Sequence, residues 1–79
     1  MNETQILEKI NGVFSNVFTD DFSFNKELAR ENFAQWDSMH HINLLVELER
    51  EFGIRFDGAA ATVLTSVDNI VSEVTERLN

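Results

Sequence analysis

Cysteine is absent from the 79-residue chain, which excludes both a disulfide framework and a thiolate metal site. Apolar burial must hold the fold unaided, and any reactive thiol must be brought in from outside the polypeptide. Proline is also missing, and no strand-like alternation runs long enough to build a sheet. Basic residues are few: six lysines and arginines stand against fourteen acidic side chains, for a net charge of −8. Such a surface repels phosphate backbones, so nucleic acid is not expected as a partner, and basic protein surfaces are. No apolar run approaches the roughly 20 residues of a membrane span. The opening MNETQILEK also lacks the basic-then-apolar order of a signal peptide. A soluble cytoplasmic protein is therefore expected. Repeats and low-complexity tracts are absent as well.

Hydrophobic residues are well represented, at 43% with seven phenylalanines, and this excludes a chain too polar to build a core. The length allows one domain, residues 1–79, with one modest core. Nothing in the sequence demands a dimer, and a monomer is expected.

Apolar periodicity predicts a first helix from about Asn2 to Phe18, with Ile6, Leu7, Ile10, Val13, Phe14, Val17 and Phe18 on one stripe. Asn2 and Gln5 have the spacing of a capping box, and Glu3 and Glu8 favour its N-terminal half. Between Thr19 and Trp36 the stripe is lost. Phe22, Phe24, Leu28 and Phe33 predict a long connection laid over the helices, with a short helical turn near Lys26 to Glu31. In DSMHHINLLVELEREFG, the residues Met39, Ile42, Leu45, Val46, Leu48, Glu49 and Phe52 define a second helix with a broad apolar side. Asp37 or Ser38 caps its start and Gly53 ends it, with Ile54 and Phe56 as an apolar hook. A turn and short helix over residues 57–64 would carry Val63 and Leu64 inward. Thr65 or Ser66 then caps a last helix whose stripe is Val67, Ile70, Val71, Val74 and Leu78. The fold class is all-α, a four-helix bundle of three main helices and one short one, with a long loop between the first two.

Ser38 stands where a helix N-terminus offers unpaired N–H groups and partial positive charge, a setting that favours a phosphodiester on its hydroxyl. An isolated Asp-Ser pair would be no more than a cap. Here the context is larger. Trp36-Asp37-Ser38-Met39, followed by Leu44, Leu45, Leu48, Glu49, Glu51, Phe52, Gly53 and Ile54, resembles the attachment segment of acyl carrier and peptidyl (aminoacyl) carrier proteins. In that family an Asp-Ser-Leu motif opens the second of four helices, which ends in a Leu-Glu-x-x-Phe-x-Ile run. The helix order, the long first connection and Thr65-Ser66-Val67 before the last helix fit too.

The resemblance implies a carrier and not a catalyst. Ser38 would bear 4′-phosphopantetheine, attached from coenzyme A by a phosphopantetheinyl transferase. The cofactor's thiol would hold an acyl or aminoacyl group as a thioester, received from loading ligases or synthases. Cargo stays open between fatty or polyketide acyl chains and the amino acids of nonribosomal peptide synthesis. Asp37 would support the transferase's engagement, and Met39, in the place of the family's leucine, would be part core and part contact. Glu47, Glu49 and Glu51 form an acidic face for basic docking patches, although Glu47 and Glu51, four apart, repel each other on an isolated helix. Arg50 departs from a position often acidic in the family. His40 and His41 are expected to be solvated or partner-facing, not metal ligands, since neighbouring helical residues diverge by about a hundred degrees. Trp36 is expected to pack against the long connection. The alternative is an unmodified acidic interaction domain that needs no serine chemistry. A hydrolase built on Ser38 with either histidine is excluded by the lack of an oxyanion pocket and by their closeness in one helical turn.

Overall fold

Helix α1 (Glu3–Val17) begins where the Asn2 side chain accepts the Gln5 N–H and the Gln5 side chain accepts the Asn2 N–H, both at 2.9 Å. The capping box thus forms as the spacing requires. These observations come from a computed structural model, which describes residues 1–78. Along α1, Ile6, Ile10, Val13 and Phe14 are buried, and the helix closes as the Phe18 N–H donates to the Phe14 carbonyl. Helix α2 (Ser38–Phe52), the short α3 (Gly58–Val63) and α4 (Val67–Leu78) complete a four-helix arrangement in which α1 packs against both α2 and α4.

The connection from 18 to 37 is pinned to the bundle. Leu28 and Phe33 are buried, Phe22 and Phe24 are half-buried against the core, and Phe18, Phe22 and Phe33 form a mutual aromatic cluster. The Gln35 carboxamide holds its start, accepting the Thr19 and Asp20 N–H groups and donating to the Thr19 hydroxyl. The helical turn expected at Lys26 to Glu31 lies slightly later, as a 3-10 turn at Arg30–Asn32. One feature escapes a reading of local pattern. Ala29 and Ser66 form an isolated antiparallel bridge, with the Arg30 N–H on the Thr65 carbonyl and the Val67 N–H on the Leu28 carbonyl, both at 2.9 Å.

Helix α2 ends as expected at Gly53, whose φ of +66° is the left-handed conformation that glycine adopts without a Cβ penalty. The buried face of α2, however, is His41, Leu44, Leu48 and Phe52. Met39, Ile42 and Val46, expected inward, are 76%, 62% and 45% exposed. Two stripes on this helix both satisfy helical periodicity, and packing selects the one that continues from Trp36. Val63 and Leu78 are likewise exposed at element ends, while Leu64 is fully buried. Ser66 caps α4, accepting the Asn69 N–H on its hydroxyl at 3.1 Å, with Val67, Ile70, Val71 and Val74 buried.

Candidate functional site

The head of α2 is built from residues 36–41. Asp37 is the N-cap, with extended backbone, and one carboxylate oxygen, Oδ1, accepts the His40 backbone N–H at 2.9 Å. The same oxygen meets His40 Nδ1 at 2.8 Å. The His40 N–H, and after it the His40 ring, hold the Asp37 carboxyl below the usual aspartate range. Ser38 is the first residue of the helix and is exposed. First-turn amides have no acceptor within their own helix, so the positive end of the helix dipole surrounds the Ser38 hydroxyl.

The two histidines have different environments, and neither is simply solvated. The His40 ring, about a third exposed, stacks on Phe18 with centroids 5.6 Å apart and an interplanar angle of 17°. His41 is 8% exposed. The Trp36 indole N–H donates to His41 Nδ1 at 2.9 Å, and His41 Nε2 lies 3.0 Å from the Ala61 carbonyl. An indole nitrogen can only donate, so Nδ1 must be the acceptor. His41 is therefore the neutral tautomer with its proton on Nε2, donating to Ala61 and tying α2 to α3. Trp36, 2% exposed, packs edge-on against Phe14 and near Phe18 of the α1 end, with its indole held by His41, instead of against the connection alone. Arg30 reaches over from the 3-10 turn, its Nε donating to the Trp36 carbonyl at 3.3 Å.

Beyond Ser38, the exposed Met39, Ile42 and Val46 recur at three- and four-residue spacing and form one apolar stripe on α2. The larger share of Met39 is thus surface, not core. The three carboxylates expected to dock partners differ among themselves. Glu47 pairs with Arg50 at 3.2 Å and Glu51 with Lys9 of α1 at 3.0 Å, which relieves the repulsion expected between them. Exposed pairs of this kind contribute about 0–1 kcal/mol, so both acids remain open to a competing cation. Glu49 is half-buried and accepts the Phe56 N–H at 2.8 Å, which folds the chain after Gly53 back onto the helix. One of its carboxylate oxygens is thus engaged within the chain.

Among the described residues, no group of three or more His, Asp or Glu side chains is placed to hold a metal ion. His40 Nδ1 is on Asp37 and both nitrogens of His41 have partners. Local pattern missed His41 and Gln35. The signal for the first was available: a buried indole N–H needs an acceptor, and His41 is the polar side chain that rejoins the inward face five residues on.

The fold and site together define an acyl-carrier-like four-helix bundle with an exposed serine heading its second helix. The chain is 26% identical to the acyl carrier protein of Thermosynechococcus vestitus, over 99% of its own length and 98% of that protein. The solution NMR structure of holo acyl carrier protein from Geobacter metallireducens matches with a TM-score of 0.73 and 25% identity. That match covers 96% of this chain and 84% of the other. No family model matches the sequence. The resemblance to acyl carrier proteins first carried by residues 36–54 thus extends over nearly the whole chain, in sequence and in fold.

Proposed function

We propose that residues 1–79 form a single, monomeric carrier domain of the cytoplasm that bears 4′-phosphopantetheine on Ser38 and moves acyl or aminoacyl groups between biosynthetic enzymes. The observation that carries this reading is the exposed Ser38 hydroxyl at the first position of α2, beside the Asp37 cap, in a chain that matches a holo acyl carrier protein. The site suits the group chemically. A phosphodiester on Ser38 would lie at the positive end of α2, where a negative charge is favoured.

Attachment is a phosphoryl-type transfer. The Ser38 oxygen forms a bond to the β-phosphorus of coenzyme A, the phosphoanhydride bond breaks, adenosine 3′,5′-bisphosphate leaves, and the hydroxyl proton passes to a base of the transferase. When bound, the group supplies a terminal thiol that the chain itself lacks. Residues of the chain supply the post and the docking face. Met39, Ile42 and Val46 offer apolar contact next to Ser38, and Glu47 and Glu51, with Glu49 behind them, give the negative field that steers basic partner surfaces. Those partners are the phosphopantetheinyl transferase and the ligases or synthases that load and unload the arm. Holding cargo on a tether raises its effective concentration at each partner's active site.

The test is intact mass spectrometry with peptide mapping after incubation with coenzyme A, magnesium and a broad-specificity phosphopantetheinyl transferase. One phosphopantetheinyl group should appear on Ser38 and be absent from the Ser38→Ala variant. A folded protein that stays unmodified beside a modified control carrier would make this an interaction domain without the cofactor.

A further inference from the structure

His40 occupies the third position of α2, the place from which a capping-box side chain ordinarily reaches back to satisfy the N–H of the cap residue. That N–H needs no such help here, because the Asp37 N–H already donates to the Gln35 carbonyl at 2.8 Å. The His40 ring instead turns to the Asp37 carboxylate. Oδ1 receives two donors from one residue, the backbone N–H at 2.9 Å and Nδ1 at 2.8 Å. A cap held by a single N–H keeps torsional freedom about its carboxylate; a second donor on the same oxygen removes it. Neither of these His40 donors falls on the remaining oxygen, Oδ2, and Asp37 directly precedes Ser38 in the chain.

The ring that does this is itself fixed. It stacks on Phe18, which is 4% exposed and packs against Phe14, Phe22, Phe33 and Trp36. A continuous line of contact therefore runs from the core through Phe18 and His40 to Asp37, and ends beside the serine.

We propose that His40 is a positioning residue for the modification of Ser38: it fixes the Asp37 carboxylate so that Oδ2 is offered, pre-oriented, to the enzyme that acts on the serine. This rests on the carrier function proposed above. Pre-orientation matters because the incoming enzyme then has one less side chain to order on binding.

Two substitutions separate the ring from its donor. His40→Phe keeps an aromatic ring over Phe18 and removes the Nδ1 donor. His40→Asn keeps a nitrogen donor at the Nδ1 position and removes the ring. Phosphopantetheinylation of the full chain is followed by mass spectrometry over a range of carrier concentrations, with thermal unfolding of each variant alongside. The expected result is a loss of about fivefold or more in kcat/KM for His40→Phe, carried mainly by KM, with His40→Asn within about twofold of the parent. Modification of His40→Phe within about twofold of the parent overturns the proposal, and so does an equal loss in both variants, which would assign His40 to packing. If the parent chain itself is not modified while a control carrier is, the carrier function fails first, and its failure is recognised by that control.

Discussion

At the scale of single residues, the buried pair of Trp36 and His41 decides how the second helix is turned. Hydrophobicity places Met39, Ile42 and Val46 together with Leu48 and Phe52 on the apolar side of α2 and leaves both histidines outward. The structure rotates the helix so that His41 joins Leu44, Leu48 and Phe52 inside. Hydrophobicity alone could not choose, since both stripes fit a helix and the chosen one contains a polar ring. What selects it is a hydrogen bond: an indole N–H taken from water must find an acceptor, and His41 Nδ1 supplies one. Trp36→Phe should therefore cost about 1–3 kcal/mol in urea unfolding, because it leaves Nδ1 buried without a donor while conserving most of the aromatic packing. A cost near zero would mean that water or a rearranged ring replaces the indole. The Asp37 cap and the place of Ser38 at the head of α2 were legible in the sequence because they depend on neighbours along the chain. The roles of His40, His41 and Glu49 were not, because each is set by a partner fixed only in the folded chain: Phe18, Ala61 and the Phe56 amide.

At the scale of elements, helix boundaries follow local chemistry closely. The Asn2 and Gln5 box, the Asp37 and Ser66 caps and the Gly53 terminator all stand where residue type demands. Gly53 isolates one such term cleanly. Its φ is +66°, and an added Cβ would meet nothing within 4 Å. Gly53→Ala should then destabilise the protein by about 1 kcal/mol through backbone strain alone, a change measurable as a lower midpoint in denaturant with an unchanged slope. A larger cost would show that the Glu49 to Phe56 contact that follows the turn is lost with it. The bridge between Ala29 and Ser66 marks the limit of this legibility. It joins two backbones that lie far apart in sequence, and neither residue type announces it.

At the scale of the whole molecule, the net charge of −8 sets a general opposition to compactness that the few surface ion pairs do not cancel. Raising ionic strength from about 0.01 to 0.15 M shortens the screening length from about 30 to 8 Å and should raise the midpoint of thermal unfolding. A midpoint that falls with salt would show that the ion pairs outweigh the repulsion. The all-α architecture and the long strapped connection were both readable from periodicity and its interruption; how the strap is fastened was not. That fastening gives the molecule a mechanical polarity. Because Ala29 and Ser66 are tied directly, tension applied to the two ends of the chain passes from α1 through the connection, across the bridge and into α4. Residues 30–65, which carry Ser38, α2 and α3, form a loop of chain that the bridge closes, held to that load path by the packing of α2 on α1. Pulling on the ends would load the bridge and the contact of α1 with α2 together before the backbone of the serine-bearing loop could straighten.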